Sequence, residues 1–179
     1  MTPPLRLLLV DDAPEIARVV QHLARRSGQD LVWRADVPSA WEYFHADGTR
    51  RPDLVLLDVN LPGASGIDLF RRMRAEGGEL ASLPAALFVA WSVPGLIAEG
   101  LAAGVDFVVA KDLLGRPDGW KERIEEVMDY AAHPPVLSSA VEKPAYCRIV
   151  QSLLRYPDGW MPRVKGYSPG RVSLGAISR

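Results

Sequence analysis

Over its first 132 residues the chain alternates between two hydrophobic periods. Apolar runs of strand length fall at 5–10, 31–35, 53–58, 85–90 and 106–110. Helical patterns separate them. Ile16, Val19, Val20 and Leu23 follow the i, i+3, i+4, i+7 spacing of one helix face, with Pro14 suited to the first turn. Ile67, Phe70 and Met73 repeat every third residue, and Trp120, Ile124, Val127, Met128 and Ala131 mark a face of a later helix. Segments 37–46 and 94–103 carry weaker helical patterns. Near-continuous apolar strands that alternate with helices predict an α/β fold: a five-stranded, doubly wound parallel sheet covered on both faces.

The pattern ends near His133-Pro134-Pro135, where two prolines stop a helix. This divides the chain into a domain at 1–132 and a C-terminal extension at 133–179. The extension is rich in Pro, Gly, Ser and Tyr, with one short helix expected near Pro144–Arg155 and no clear period after Pro157. The tetrapeptide Pro-Asp-Gly-Trp occurs at 117–120 and 157–160 and reads as a turn leading into a tryptophan.

Charge adds a second asymmetry. Net charge is −1, but residues 1–132 carry 14 Lys and Arg against 20 Asp and Glu, whereas 133–179 carry 7 against 2. A basic tail can meet nucleic acid or an acidic surface, including the domain itself, although a solvated tail is the plainer reading. A three-helix DNA reader needs helical periodicity that 157–179 lacks, so no nucleic-acid output domain is indicated. The single cysteine, Cys147, excludes an internal disulfide framework and suits a reducing compartment. No apolar run reaches the roughly 18 residues of a membrane helix, and the N-terminal run meets Asp11-Asp12 at once, unlike a signal peptide. A cytoplasmic protein without a membrane segment is expected.

The chemistry concentrates at strand ends. Asp58 closes the run Leu54-Val55-Leu56-Leu57, Asp11 and Asp12 follow Leu7-Leu8-Leu9-Val10, and Lys111 follows Phe107-Val108-Val109-Ala110. A carboxylate at the end of a buried strand is costly unless something uses it. In open parallel sheets ligands bind beyond the carboxyl ends of the strands, so three acids and one lysine would meet at one site. That set suits a hard divalent cation and a phosphoryl group. The bland alternatives are Asp11 or Asp12 as a helix cap, Asp58 as a turn residue and Lys111 as a solvated charge.

The segments Leu7-Leu-Leu-Val10-Asp11-Asp12, Asp58-Val-Asn-Leu-Pro62-Gly-Ala-Ser-Gly66 and Gly104-Val-Asp-Phe-Val-Val-Ala-Lys111 together resemble the receiver domain of two-component response regulators. The likeness covers roughly residues 4–132, with 46 residues from Asp12 to Asp58 and 53 from Asp58 to Lys111. It implies a flavodoxin-like (βα)5 fold and a phosphorelay role. Asp58 would be the phosphoacceptor, taking a phosphoryl group from a sensor histidine kinase or phosphotransfer protein. Asp11 and Asp12, with Asp58 and the backbone carbonyl of Asn60, would hold Mg²⁺. Lys111 would pair with the phosphoryl oxygens, and Pro62 and Gly66 would shape a loop that keeps Asp58 exposed. A homodimer is a possible assembly, and turnover beyond self-catalysed phosphotransfer and dephosphorylation is not implied.

The sequence departs from that pattern at its switch positions. Receivers usually carry Thr or Ser, followed by Ala, at the end of the fourth strand. The ungapped count places Val89 there, followed by Ala90, and valine cannot hydrogen-bond a phosphoryl oxygen. Ser92 lies three residues on and would serve only with a remodelled loop. The aromatic switch position reads Val108, with Phe107 one residue early, and Asp112 follows Lys111 where proline is usual. These departures favour phosphorylation chemistry over the usual activation coupling and leave a receiver-like interaction scaffold, regulated without phosphorylation, as the alternative. A haloacid-dehalogenase-type phosphatase also uses a strand-end aspartate, but it needs a second acid two residues on. Asn60 stands there and cannot act as general acid.

Overall fold

The computed structural model describes residues 3–89, 99, 100, 102–105, 107–115 and 117–132. Five parallel strands form the central sheet: β1 (Arg6–Val10), β2 (Asp30–Arg34), β3 (Leu54–Asp58), β6 (Ala85–Val89) and β7 (Phe107–Ala110). Their spatial order is β2-β1-β3-β6-β7, so the order reverses between β1 and β3. That reversal opens a crevice at the carboxyl ends of β1 and β3. A two-stranded antiparallel hairpin, β4 (Asn60–Leu61) with β5 (Ala64–Ser65), projects from the end of β3.

Alternation along the strands divides the core into two layers. Leu8, Val10, Val55 and Leu57 face one side, where they pack with Val37 and Phe44 of α2 (Val37–His45), with Ile67 and Phe70 of α3 (Gly66–Glu76), and with Leu80 of the short α4 (Gly78–Ser82). Leu7, Leu9, Leu54 and Leu56 face the other side, against Val20 and Leu23 of α1 (Pro14–Arg26) and Trp120, Ile124 and Val127 of α5 (Pro117–Ala132). Each fully buried Leu or Ile contributes about 1.5–3 kcal/mol of transfer free energy. Loss of either helix layer would therefore expose several such side chains at once.

Local signals fix the helix ends. Pro14 opens α1, and Gly28, at φ 69°, follows its C-terminus. Asp36 caps α2 by accepting from the Ser39 amide at 2.8 Å. Ser65 and Asp68 form a reciprocal capping box at the start of α3. Buried Trp120 donates its indole N–H to Gln29 Oε1 at 3.1 Å, which ties α5 to the turn before β2.

Several expectations need correction. Val19 is 39% exposed, so the buried face of α1 is Ala17, Val20, Leu23 and Ala24. The apolar stripe lies one position to the side of the i+3 reading. Residues 117–120 are helical and begin α5, because proline is well tolerated in a first helical turn. β2 is an edge strand, only half-buried, rather than covered on both faces. Neither α4 nor the β4–β5 hairpin is anticipated from periodicity, since both are too short to show one. Ser92, most of 94–103, the second Pro-Asp-Gly-Trp and the helix expected near 144–155 lie outside the described residues.

Candidate functional site

Asp11 is the first residue beyond β1. Its amide donates to the Arg34 carbonyl at 3.1 Å, prolonging the β1–β2 register by one bond. Its side chain is completely buried. Oδ1 accepts from the Ala13 amide at 3.0 Å, and Oδ2 lies 2.9 Å from Lys111 Nζ in an ion pair that falls short of hydrogen-bond geometry. Asp11 thus braces the turn into α1 but caps no helical N–H. Asp12 beside it is exposed.

Asp58 is the last residue of β3; it pairs with Phe88 of β6 and lies one position beyond Leu57, which pairs with Val10 of β1. It is 8% exposed. This corrects the expectation of an exposed aspartate. The hairpin and α3 crowd the strand end, and Gly66 packs so tightly there that a Cβ on it would overlap the Asp58 carbonyl. Pro62 and Gly63 turn the hairpin, with Gly63 at φ 75° in the position of a tight turn that requires a left-handed residue. Asn60 is exposed at the start of the hairpin.

Lys111 follows β7 in a 3-10 turn (Lys111–Gly115). Its ammonium bridges two carboxylates, at 2.9 Å from Asp11 Oδ2 and 3.0 Å from Asp58 Oδ1. It also lies 5.5 Å from the centre of the Phe88 ring. Burial pushes the Asp58 carboxyl up, Lys111 pulls it back through a hydrogen bond and its charge, and Asp11 adds repulsion, with a net rise. For Lys111, burial acts downward, but the two carboxylates outweigh it and hold the ammonium charged. The sheet therefore brings together Asp11, Asp12, Asp58 and Lys111.

Carboxylate oxygens of Asp11, Asp12 and Asp58 all lie within 4.8 Å of one another. Among the described residues three acids face one ammonium, which leaves negative charge in excess at the strand ends. A buried carboxylate oxygen without a hydrogen bond, Asp11 Oδ2, sits in the same group. This all-oxygen donor set fits a hard divalent cation such as Mg²⁺. At the switch positions, Val89 ends β6 opposite Ala110 and Val108 pairs with Leu87, both nearly fully buried in the apolar layer that includes α2 and α3.

Two neighbours of the site escape the sequence reading. Trp33 donates its indole N–H to the Asp11 main-chain carbonyl at 2.7 Å. Phe88, beneath Lys111, meets Trp120 edge to face with ring centres 6.4 Å apart. Both were signalled only by position, as aromatic residues near the carboxyl ends of strands that bear the acids and the lysine.

The family model for the response regulator receiver domain matches residues 7–118. Among curated relatives, the DNA-binding response regulator MtrA of Mycolicibacterium smegmatis is 37% identical over 106 residues, which is 59% of this chain and 43% of the relative. The transcriptional regulatory protein CseB of Streptomyces coelicolor is 35% identical over 115 residues, 64% of this chain and 46% of the relative. The chain spans less than half the length of these relatives. Among solved structures, a CheY-like receiver domain protein from Methanospirillum hungatei superposes with a TM-score of 0.60 at 19% identity, covering 72% of this chain and 97% of that one. The Mn²⁺-bound form of response regulator Rcp1 superposes with a TM-score of 0.58 at 23% identity, covering 66% and 93%. Both show the shared fold. The five-stranded order, the matched family model and the curated relatives agree: this chain belongs to the response regulator receiver domain family.

Proposed function

We propose that this domain, placed within residues 1–132, accepts a phosphoryl group on Asp58 from a sensor histidine kinase or phosphotransfer protein and relays the signal through its surface or through residues 133–179. The observation that carries this reading is the Lys111 ammonium held between Asp11 and Asp58 at the topological reversal of the sheet. In the transfer, an Asp58 carboxylate oxygen attacks phosphorus, the P–N bond to the donor histidine breaks, and a P–O bond forms. The histidine nitrogen keeps the electron pair and takes a proton from solvent. Asp58 must be ionised to attack, and Lys111 is the group that keeps it so against the cost of burial. Once the carboxylate charge is consumed, the same ammonium can pair with the phosphoryl oxygens.

Asp11, Asp12 and Asp58, with the Asn60 carbonyl, would hold Mg²⁺, which supplies neutralisation of the negative charge around the transferring phosphoryl group. The Mn²⁺-bound form of response regulator Rcp1 lends support by analogy. Chemistry is confined to self-catalysed phosphotransfer and dephosphorylation, and a cytoplasmic setting suits a soluble donor. The scaffold alternative draws on Val89 and Val108, which offer a phosphoryl group no hydroxyl and no aromatic ring. Incubation with acetyl phosphate and Mg²⁺ followed by intact mass measurement tests the reading. A single phosphoryl adduct in the wild type, lost in Asp58→Asn, is expected, and no adduct on the wild type would favour the scaffold.

A further inference from the structure

The main-chain carbonyl of Asp11 lies just beyond the ladder. The last register pairs of β1 are Val10 with Arg34 on one side and Val10 with Leu57 on the other. Beyond them the chain turns toward α1. A carbonyl at that point needs a donor from elsewhere, and the Trp33 indole supplies it at 2.7 Å. Two consecutive residues of β2 thus grip one residue of the site: Arg34 accepts from the Asp11 amide and Trp33 donates to its carbonyl.

That carbonyl belongs to the peptide that joins Asp11 to Asp12. The peptide is planar, so fixing its oxygen fixes the plane from which both acidic side chains project. Trp33 is 39% exposed, so packing covers the ring only in part, and its N–H bond to the Asp11 carbonyl helps set where the indole sits. Its indole can only donate, and the Asp11 carbonyl is the partner it has. We infer that Trp33 is a positioning residue, whose N–H holds the Asp11–Asp12 peptide in the orientation that presents both carboxylates to a divalent cation. The inference rests on the cation-binding reading of the Asp11, Asp12 and Asp58 group.

The test is a calorimetric Mg²⁺ titration of the full chain, with three variants. Trp33→Phe keeps an aromatic ring and removes the N–H. Replacing Trp33 by 3-benzothienylalanine keeps the bicyclic shape and exchanges only the N–H for sulfur. Trp41→Phe, on α2 and away from the site, serves as the control. Loss of one net hydrogen bond corresponds to about a three- to tenfold rise in the Mg²⁺ dissociation constant. That rise is expected in both Trp33 variants and absent from the control. The melting temperature in metal-free buffer should stay near the wild-type value for the benzothienyl variant, and the Asp11 carbonyl carbon resonance should move. Wild-type affinity in the benzothienyl variant would overturn the positioning role while leaving the cation site intact. Absence of Mg²⁺ binding by the wild type would overturn the cation reading together with it.

Discussion

Lys111 and Asp58 face each other at 3.0 Å with side chains only 19% and 11% exposed, so each charge depends on the other more than on water. The balance is uneven. Burial and the nearby Asp11 leave the Asp58 carboxyl above its ordinary 3.8. A carboxyl raised in the folded state binds its proton more tightly there than when unfolded. Its ionisation therefore lowers stability as pH rises from 3.8 through the folded value, and the deficit persists at neutral pH. Asp58→Asn should melt a few degrees higher than the wild type in metal-free buffer near neutrality. Added Mg²⁺ should raise the wild-type midpoint and move the variant far less. Thermal unfolding with and without Mg²⁺ checks this, and a variant less stable than the wild type would mean that the ion pair outweighs the burial cost.

A separate ionic contact joins α2 to α3. His45 Nδ1 lies 2.8 Å from the Trp41 carbonyl, and Nε2 lies 2.7 Å from Glu76 Oε1. The carbonyl and then Glu76 raise the imidazole above its ordinary 6.5, against opposing contributions from burial and Arg51. A base raised in the folded state stabilises fully below pH 6.5, and the contribution is lost as pH climbs through the folded value. The difference in melting temperature between wild type and His45→Gln should be larger at about pH 5.5 than at about pH 8.5 and should shrink with added salt. An unchanged difference across that window would show that His45 contributes through packing on Trp41 alone.

Gly66 is required by space rather than by an unusual dihedral angle. A Cβ there would overlap the Asp58 carbonyl and crowd Leu57 Cβ at 3.2 Å. Gly66→Ala should cost about 1–3 kcal/mol, the range of an overpacked core site, and should weaken Mg²⁺ binding because the strand end that carries Asp58 must shift. Urea midpoints and metal titration measure both effects, and a fully stable variant with unaltered metal affinity would contradict the close approach.

Val89 carries no hydroxyl and Val108 no aromatic ring at the two switch positions. A ligand shifts a conformational equilibrium only through contacts that differ between the two states. Beryllofluoride with Mg²⁺ should therefore perturb amides near 11, 58 and 111 and few across 99–110. Val89→Thr should spread the perturbation into 99–110, because a hydrogen bond to a charged group is worth about 1.5–3 kcal/mol, roughly a tenfold to hundredfold change in population. Large shifts across that segment in the wild type would refute weak coupling.

How much of this was legible beforehand follows from the length of each signal. The strands near 5–10, 53–58 and 85–90 show as apolar runs because both faces of the sheet are covered, and Leu7 to Val10 are all fully buried. The meeting of Asp11, Asp12, Asp58 and Lys111 was readable because a parallel sheet gathers its carboxyl ends on one edge. Burial of Asp58 was not, since it depends on the packing of Gly66 against a carbonyl across the loop. Trp33 was likewise hidden. Its partner is a main-chain atom 22 positions away, and no side-chain pattern encodes that contact. Val19 misled because an i+3 spacing fits two adjacent stripes of a helix equally well.

The decisive measurement locates the phosphoryl group. Treat the chain with acetyl phosphate and Mg²⁺, reduce with borohydride, which converts an aspartyl phosphate to homoserine, and sequence the peptides by tandem mass spectrometry. Homoserine at position 58 alone, dependent on Mg²⁺ and sharply diminished in Lys111→Met, is the expected result. Homoserine at Asp11, at Asp12 or nowhere would contradict the assignment of Asp58 as the acceptor.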